Sequence, residues 1–461
     1  MFKVYVEFFT ANSPSRVIHV RATLLAFCFA VFTLNAVAQS HPPVIIIPGL
    51  IGSELINSKT GERVWPKASR SKVDDLRLPI SANIAANHDS LVPGDIIRTV
   101  KLSILARQDV YEGLIDALEA KGYKEGKWDA PSSNGFENTI YVFPYDWRRD
   151  NVETARLLIR KIETLKRKLR KPNLKFDVIA HSMGGLIARY AAMYGNADLP
   201  LNGAPPRPTW AGAKNFEHII LLGTPNEGSI IALQSLVNGV SLFGINVNLP
   251  FVQNLSKFDF FTIPSLFELL PTNGSLKIYG EDFKPIAVDV YDPKAWSTYD
   301  WTPMQDKKFE REFPVSERRK ADAYFAAVLS RAKRFQEALK ASSKSPGTTI
   351  EIAGAECKDT PDGALIYSDK KKLEWKTTFK PESLTTASGK KFTAEELKKY
   401  LLAPGDSVVP KNSLVGMIMS AIDGTESILF PGTPFFECEE HNKLPSNAAV
   451  QNFILKTLSA G

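Results

Sequence analysis

The chain has 461 residues, 44% of them hydrophobic and 23% charged, and 57 Lys and Arg against 50 Asp and Glu give a formal charge of +7. That balance excludes a disordered, collagen-like or polytopic membrane chain; the length allows two or three domains, or one α/β unit with large insertions. Three cysteines without a Cys-x-x-Cys pair exclude a disulfide-dense scaffold and a cysteine-held zinc site, and the small positive excess gives no reason to expect a nucleic-acid partner.

Residues 1–38 read as an export signal. Arg16, His19 and Arg21 precede the apolar run Ala22 to Leu34, and Ala36-Val37-Ala38 puts small residues ahead of Gln39, the pattern that signal peptidase cuts. An uncleaved membrane anchor is the alternative, because the stretch before the apolar run is long. Cleavage near Ala38 predicts a periplasmic or secreted protein and removes Cys28. Cys357 and Cys438 remain, and an oxidising compartment favours their pairing over two separate buried thiols.

Pro43 to Gly49 holds an apolar run bounded by turn residues, which predicts a buried parallel strand. Val110 to Lys121 reads as a helix with Leu114, Ile115 and Leu118 on one face and Gly122 after it. Thr139 to Phe143 reads as a strand. In the next helix Ala155, Leu158, Ile162, Leu165 and Leu169 recur at helical spacing until Pro172 stops it. Phe176 to Ala180 and Ile219 to Leu222 are further strands, with a helix over Gly184 to Tyr194 between them. Strands alternating with amphipathic helices predict a parallel sheet covered on both faces. The alternation dissolves over 226–345, which reads as an inserted cap or lid. The expected layout is an α/β-hydrolase core over 39–225, the cap, then the second part of the core over 346–461. The basic face ending at Lys166 to Lys171 is expected to be solvated, with membrane-surface docking as the rival reading.

The stretch Val178-Ile179-Ala180-His181-Ser182-Met183-Gly184-Gly185 carries the chemistry. A strand runs into small-x-Ser-x-Gly and then a helix, the setting of a nucleophile elbow. The turn must be sharp to lift the serine hydroxyl above the sheet, so positions −2 and +2 must be small, as Ala180 and Gly184 are. The Met183 N–H then heads a helix and can face a developing oxyanion. Such a serine needs a base, which follows it in this fold after an acid. Of six histidines only His218 and His441 come later. His218 has no acid before it in the required order, which leaves His441. Asp406, in the turn Ala403 to Pro410, is the expected acid, with Asp423 as its competitor. Gly49-Leu50-Ile51-Gly52 permits a close backbone approach, and the Leu50 N–H is the expected second oxyanion donor.

With these residues assembled, the sequence resembles the lecithin:cholesterol acyltransferase family, which includes lysosomal phospholipase A2 and phospholipid:diacylglycerol acyltransferase. The resemblance is carried by Pro43 to Gly49, Pro144-Tyr145-Asp146-Trp147-Arg148, Ala180 to Gly185, Leu222 to Ser229, Gly405-Asp406, and His441 followed by Ser446-Asn447. The Tyr-Asp-Trp-Arg block is the most diagnostic, since generic lipases lack it. The resemblance implies a triad of Ser182, Asp406 and His441, oxyanion donors at Leu50 and Met183, and an acyl-pocket segment over Pro264 to Pro271. Phe251, Phe261, Leu266, Phe267 and Leu270 are the expected pocket or lid residues, although a plain core beneath the cap is the competing reading. Asp146 and Arg148 are expected to be structural.

The expected activity is a phospholipase A-type acyl hydrolase or lipid O-acyltransferase acting through an acyl-enzyme, on a glycerophospholipid or related ester at a membrane or lipid surface, with no metal or organic cofactor. A general carboxylesterase or triacylglycerol lipase is the alternative within enzymes. A non-catalytic lipid-binding protein on the same fold is the alternative outside them.

Overall fold

The computed structural model describes residues 40–67, 75–101, 107–200, 203–239, 255–272, 275–340, 347–369, 375–419, 426–428 and 432–459. The expected export signal, Phe251 and Asp423 lie outside them. Residues 41–461 form one compact unit.

Among the described residues seven strands make the central sheet: β1 (Val44–Ile47), β2 (Lys124–Glu125), β3 (Thr139–Val142), β4 (Phe176–His181), β5 (Phe216–Leu222), β6 (Thr349–Gly354) and β7 (Phe435–Phe436). Their spatial order is β7-β6-β5-β4-β1-β3-β2, and every neighbouring pair is parallel. The central strands β1 and β4 are buried along their whole length, which is why Val-Ile-Ile-Ile and Phe-Asp-Val-Ile-Ala-His lack strict alternation.

From β1 the chain builds one flank through β2 and β3, then crosses to β4 and builds the other. The topological switch point therefore falls between β1 and β4, where ligands bind at the carboxyl ends of such sheets. Pro48-Gly49 leaves one side of that crevice and His181-Ser182 the other.

Five helices matter for the site: α1 (Glu112–Glu119), α2 (Asn151–Leu169), α3 (Met183–Tyr194), α4 (Ile230–Asn238) and α5 (Ala321–Lys340). The side chain of Asp150 caps α2 by accepting from the Glu153 N–H at 2.8 Å. At its other end Arg170 adopts the left-handed conformation, two residues before Pro172. Lys166 departs from the solvated face expected there: it turns inward and donates to Asn215 Oδ1 at 2.7 Å. Burial, then the positive charge of Lys214, brings its ammonium down to about 8.

The region between β5 and β6 leaves the sheet and contains α4, α5 and several short helices. A second excursion, unforeseen in the sequence, separates β6 from Asp406. Within it Lys358–Pro361 pairs antiparallel with Leu402–Gly405, and Ala364–Ser368 pairs with Trp375–Thr378. Ile278–Tyr279 of the first excursion joins that second pair, so the two insertions share a sheet.

Candidate active site

Ser182 occupies the turn between β4 and α3 with φ 55° and ψ −126°, a region that costs a side-chain-bearing residue on the order of 1–3 kcal/mol. The surroundings impose it. Ser182 donates its N–H to Leu222 O at 2.8 Å, and its own carbonyl accepts from Gly185 N at 3.0 Å. Neighbouring backbone closes in from β1. A Cβ on Gly49 would lie 2.8 Å from Ser182 Cβ, and one on Gly184 would lie 2.5 Å from Pro48 O. Glycine at both positions is thus what lets the loop after β1 and the start of α3 meet at the serine.

His441 begins a short 3-10 turn, His441–Ser446, after β7. Its Nδ1 lies 2.7 Å from Asp406 Oδ2 and its Nε2 lies 2.9 Å from Ser182 Oγ. A carboxylate only accepts, so Nδ1 carries the proton, and Nε2 is left to accept from the serine hydroxyl. The other oxygen of Asp406 accepts from the N–H groups of Val408 and Val409 at 3.0 and 2.7 Å. All three side chains are buried: Ser182 is 5% exposed, His441 2% and Asp406 1%. The sheet thereby brings together residues 35 and 259 positions away from the base.

The Asp406 turn is held from the cap side. Ser229, the N-cap of α4, donates its hydroxyl to Val408 O at 2.9 Å, and Ser413 donates to Gly228 O at 2.6 Å. Glu227 is buried and pairs with Lys340 at 2.8 Å at the end of α5. The Asn226-Glu227-Gly228-Ser229 run is therefore a clasp around the acid. Gly223 (φ 56°) runs so close to the pair that a Cβ there would lie 3.0 Å from both Asp406 Oδ2 and His441 Nδ1.

Of the expected oxyanion donors, Met183 is the first residue of α3, where its N–H has no intrahelical acceptor. Leu50 follows Gly49 in the loop packed against Ser182 and is buried. The expected pocket residues Phe261, Leu266, Phe267 and Leu270 are also buried. Phe261 packs on Phe309, Phe313, Tyr324 and Phe325, and Phe267 on Trp296 and Phe325, with ring centroids 5.4 to 6.3 Å apart. Their segment docks on the clasp, since Leu269 O accepts the Ser229 N–H at 2.9 Å. Arg148 is fully buried and bridges Asp146 and Asp89 at 2.8 and 2.6 Å, which pins the Asp-Trp-Arg turn to the loop after the 3-10 turn Ile84–Ala86.

His218 stands at the opposite end of the sheet, where its Nδ1 is 2.8 Å from Asp177 Oδ1; that hydrogen bond raises its pKa above 6.5. Cys357 and Cys438 are joined, with Cα atoms 5.5 Å apart, and both are exposed. The bridge ties the end of β6 to the segment just before His441. Among the described residues no group of His, Cys, Asp and Glu could hold a metal ion.

The family model of lecithin:cholesterol acyltransferase matches residues 97–323. That match supports assigning the chain to the lecithin:cholesterol acyltransferase family. The match takes in Ser182 and ends before Asp406 and His441, so those two rest on chain order and on the geometry above. Among solved structures, a chain of the Tle4-Tli4 complex is 16% identical with a TM-score of 0.55, over 91% of this chain and 98% of that one. Two further structures match with lower TM-scores. The mature-form lipase BlEst2 of Bacillus licheniformis gives 0.33 at 12% identity over 91% and 93% of the two chains. The phospholipase PlaB of Legionella pneumophila gives 0.26 at 13% over 68% and 39%. The likeness to the Tle4-Tli4 chain bears on the fold alone, and the parallel sheet with its elbow at the switch point is that of the α/β hydrolases. No curated protein matches the chain.

Proposed function

We propose that this protein is an exported serine acyl hydrolase or O-acyltransferase that acts on glycerophospholipid or a related lipid ester. One observation carries the reading: an unbroken line of hydrogen bonds from Ser182 Oγ through His441 to Asp406, at 2.9 and 2.7 Å, on a strained elbow at the switch point. In the reaction, His441 Nε2 takes the hydroxyl proton as Ser182 Oγ attacks the ester carbonyl. The carbonyl oxygen becomes an oxyanion facing the Leu50 and Met183 amides. His441 then returns the proton to the leaving alcohol and the C–O bond breaks. The acyl group stays on Ser182 until water, or the hydroxyl of a second lipid, attacks with His441 again as base. Asp406 holds the imidazole in the required tautomer throughout.

The test is incubation of the purified protein with vesicles of acyl-labelled phosphatidylcholine, with and without sterol or diacylglycerol, alongside short soluble esters. Free fatty acid, or a labelled sterol ester or triacylglycerol, is expected from wild type. Ser182→Ala should lose at least about 10⁴-fold in kcat, since removal of such a nucleophile typically costs more. Turnover of soluble esters alone would favour a general carboxylesterase instead. Activity of Ser182→Ala within tenfold of wild type would falsify the assignment.

A further inference from the structure

Behind the serine lies a second set of buried hydrogen bonds that the proposed chemistry does not use. His181, immediately before Ser182, places its Nε2 3.0 Å from the backbone carbonyl of His441. A carbonyl only accepts, so Nε2 bears the proton. The Nδ1 of His181 lies 2.8 Å from the hydroxyl of Tyr111, and that hydroxyl lies 2.9 Å from the N–H of Gly49. An amide N–H only donates, so the tyrosine oxygen accepts from Gly49 and gives its own hydrogen to His181. One arrangement satisfies every atom: Gly49 N–H to Tyr111 O, Tyr111 O–H to His181 Nδ1, and His181 Nε2–H to His441 O. It requires a neutral His181. Burial, then the nearby His441, holds this imidazole well below its usual 6.5.

The endpoints of this chain matter. The His441 N–H donates to Asp406 O at 2.9 Å, so with His181 on the carbonyl both backbone polar groups of the base are fixed. Gly49 precedes Leu50, so the bond from its N–H orients the loop that carries a proposed oxyanion donor. Tyr111 stands just before α1 and is 1% exposed. The rings of His181 and His441 lie 4.8 Å apart, and a neutral neighbour leaves the base free to take up positive charge.

We propose that Tyr111 and His181 are positioning residues, which fix the backbone of the base and the Gly49–Leu50 loop relative to Ser182 as one unit. This rests on the reading of Ser182, His441 and Leu50 given above. The network touches no reacting atom, so its loss should slow the chemical step while leaving substrate binding nearly unchanged.

The experiment compares Tyr111→Phe, His181→Gln, His181→Phe and the Tyr111→Phe/His181→Phe pair with wild type and Ser182→Ala. For each, active sites are titrated with a fluorophosphonate, and kcat, KM and the phosphonylation rate are measured per titrated site. Tyr111→Phe should lower kcat and the phosphonylation rate together by about tenfold, as expected when one buried partner is lost, with KM within about threefold. His181→Gln keeps a donor for the His441 carbonyl and should fall between wild type and His181→Phe. The pair should lose less than the product of the Tyr111→Phe and His181→Phe losses, because the two residues act as one unit. A merely structural role would lower the titre and the melting temperature and leave kcat per site unchanged. That result in Tyr111→Phe and His181→Gln, or losses that simply multiply in the pair, overturns the proposal, and both single variants serve if His181→Phe does not fold. An active Ser182→Ala, or a wild type that takes up no probe, would instead overturn the underlying reading.

Discussion

In the triad and the His181–Tyr111 network behind it every buried side-chain polar atom has a partner, whereas under the helices of the cap aromatic rings fill the space and several polar atoms stand without one. Among the described residues, no side-chain atom of Ser182, His181, Tyr111, Asp406 or His441 is both buried and unbonded. Tyr324 Oη, Glu268 Oε1 and Gln336 Oε1 in the cap are. Directional bonds fix positions to tenths of an ångström at little net gain in stability. Ring packing does the reverse: it stabilises strongly and tolerates small displacements. The molecule therefore separates the part that sets geometry from the part that holds the insertion on the core.

If that contrast is right, substitutions in the two regions should fail in different ways. The largest effect is expected of Asp406→Asn, which preserves shape but withdraws the charge that fixes the His441 tautomer. Its kcat should fall about 10³- to 10⁴-fold with a melting temperature near that of wild type. In the cap, Phe261→Ala removes a ring set against four others and should cost about 3–5 kcal/mol of stability in denaturant unfolding. Its kcat per titrated site should stay within about threefold of wild type. Loss of kcat without loss of stability would place Phe261 on the substrate instead, and the contrast would break.

The Cys357–Cys438 bridge belongs to the geometric region by position and to the stabilising one by mechanism. In the chain-entropy model, closing a loop of about 80 residues is worth up to roughly 4 kcal/mol. Because the bridge ends three residues before His441, reduction should lower activity before it unfolds the chain. Parallel titrations of activity and circular dichroism with dithiothreitol check this; coincident curves would limit the bridge to stability.

The smallest effect is sought at Glu268. Burial, then the charge of Asp150, holds its carboxyl well above 4.5, while its Oε2 accepts the Asn151 N–H at 2.8 Å. The folded state therefore keeps a proton that the unfolded chain releases. The stability this provides is fully present below pH 4.5 and is lost as the pH rises through the folded value. Glu268→Gln cannot ionise, so its melting temperature relative to wild type should climb from pH 4.5 to pH 8. A constant difference would contradict the assignment.

The same contrast explains what could be read from the sequence. The elbow was legible because strand, serine, small residues and helix are consecutive, and His441 followed from chain order, which needs no coordinates. The central strands were legible from their unbroken apolar runs. Tyr111 was not: in sequence it falls in the first turn of an ordinary amphipathic helix, and its hydroxyl acquires partners only when residues 49 and 181 arrive beside it. The excursion between β6 and Asp406 was also hidden, since Lys358–Pro361 and Leu402–Gly405 are short, contain proline and lack apolar alternation. Lys166 misled because helical spacing assigns a face by period, and its amine turns inward only because Asn215 is there to receive it.

The central claim is that Ser182 is made nucleophilic by His441. The most direct measurement is peptide mapping by mass spectrometry after treatment with a fluorophosphonate, on wild type and His441→Ala. One adduct per chain is predicted, on the peptide containing Ser182, with labelling of His441→Ala slowed by several orders of magnitude. An adduct on another residue, or equal labelling of the two proteins, would contradict the account.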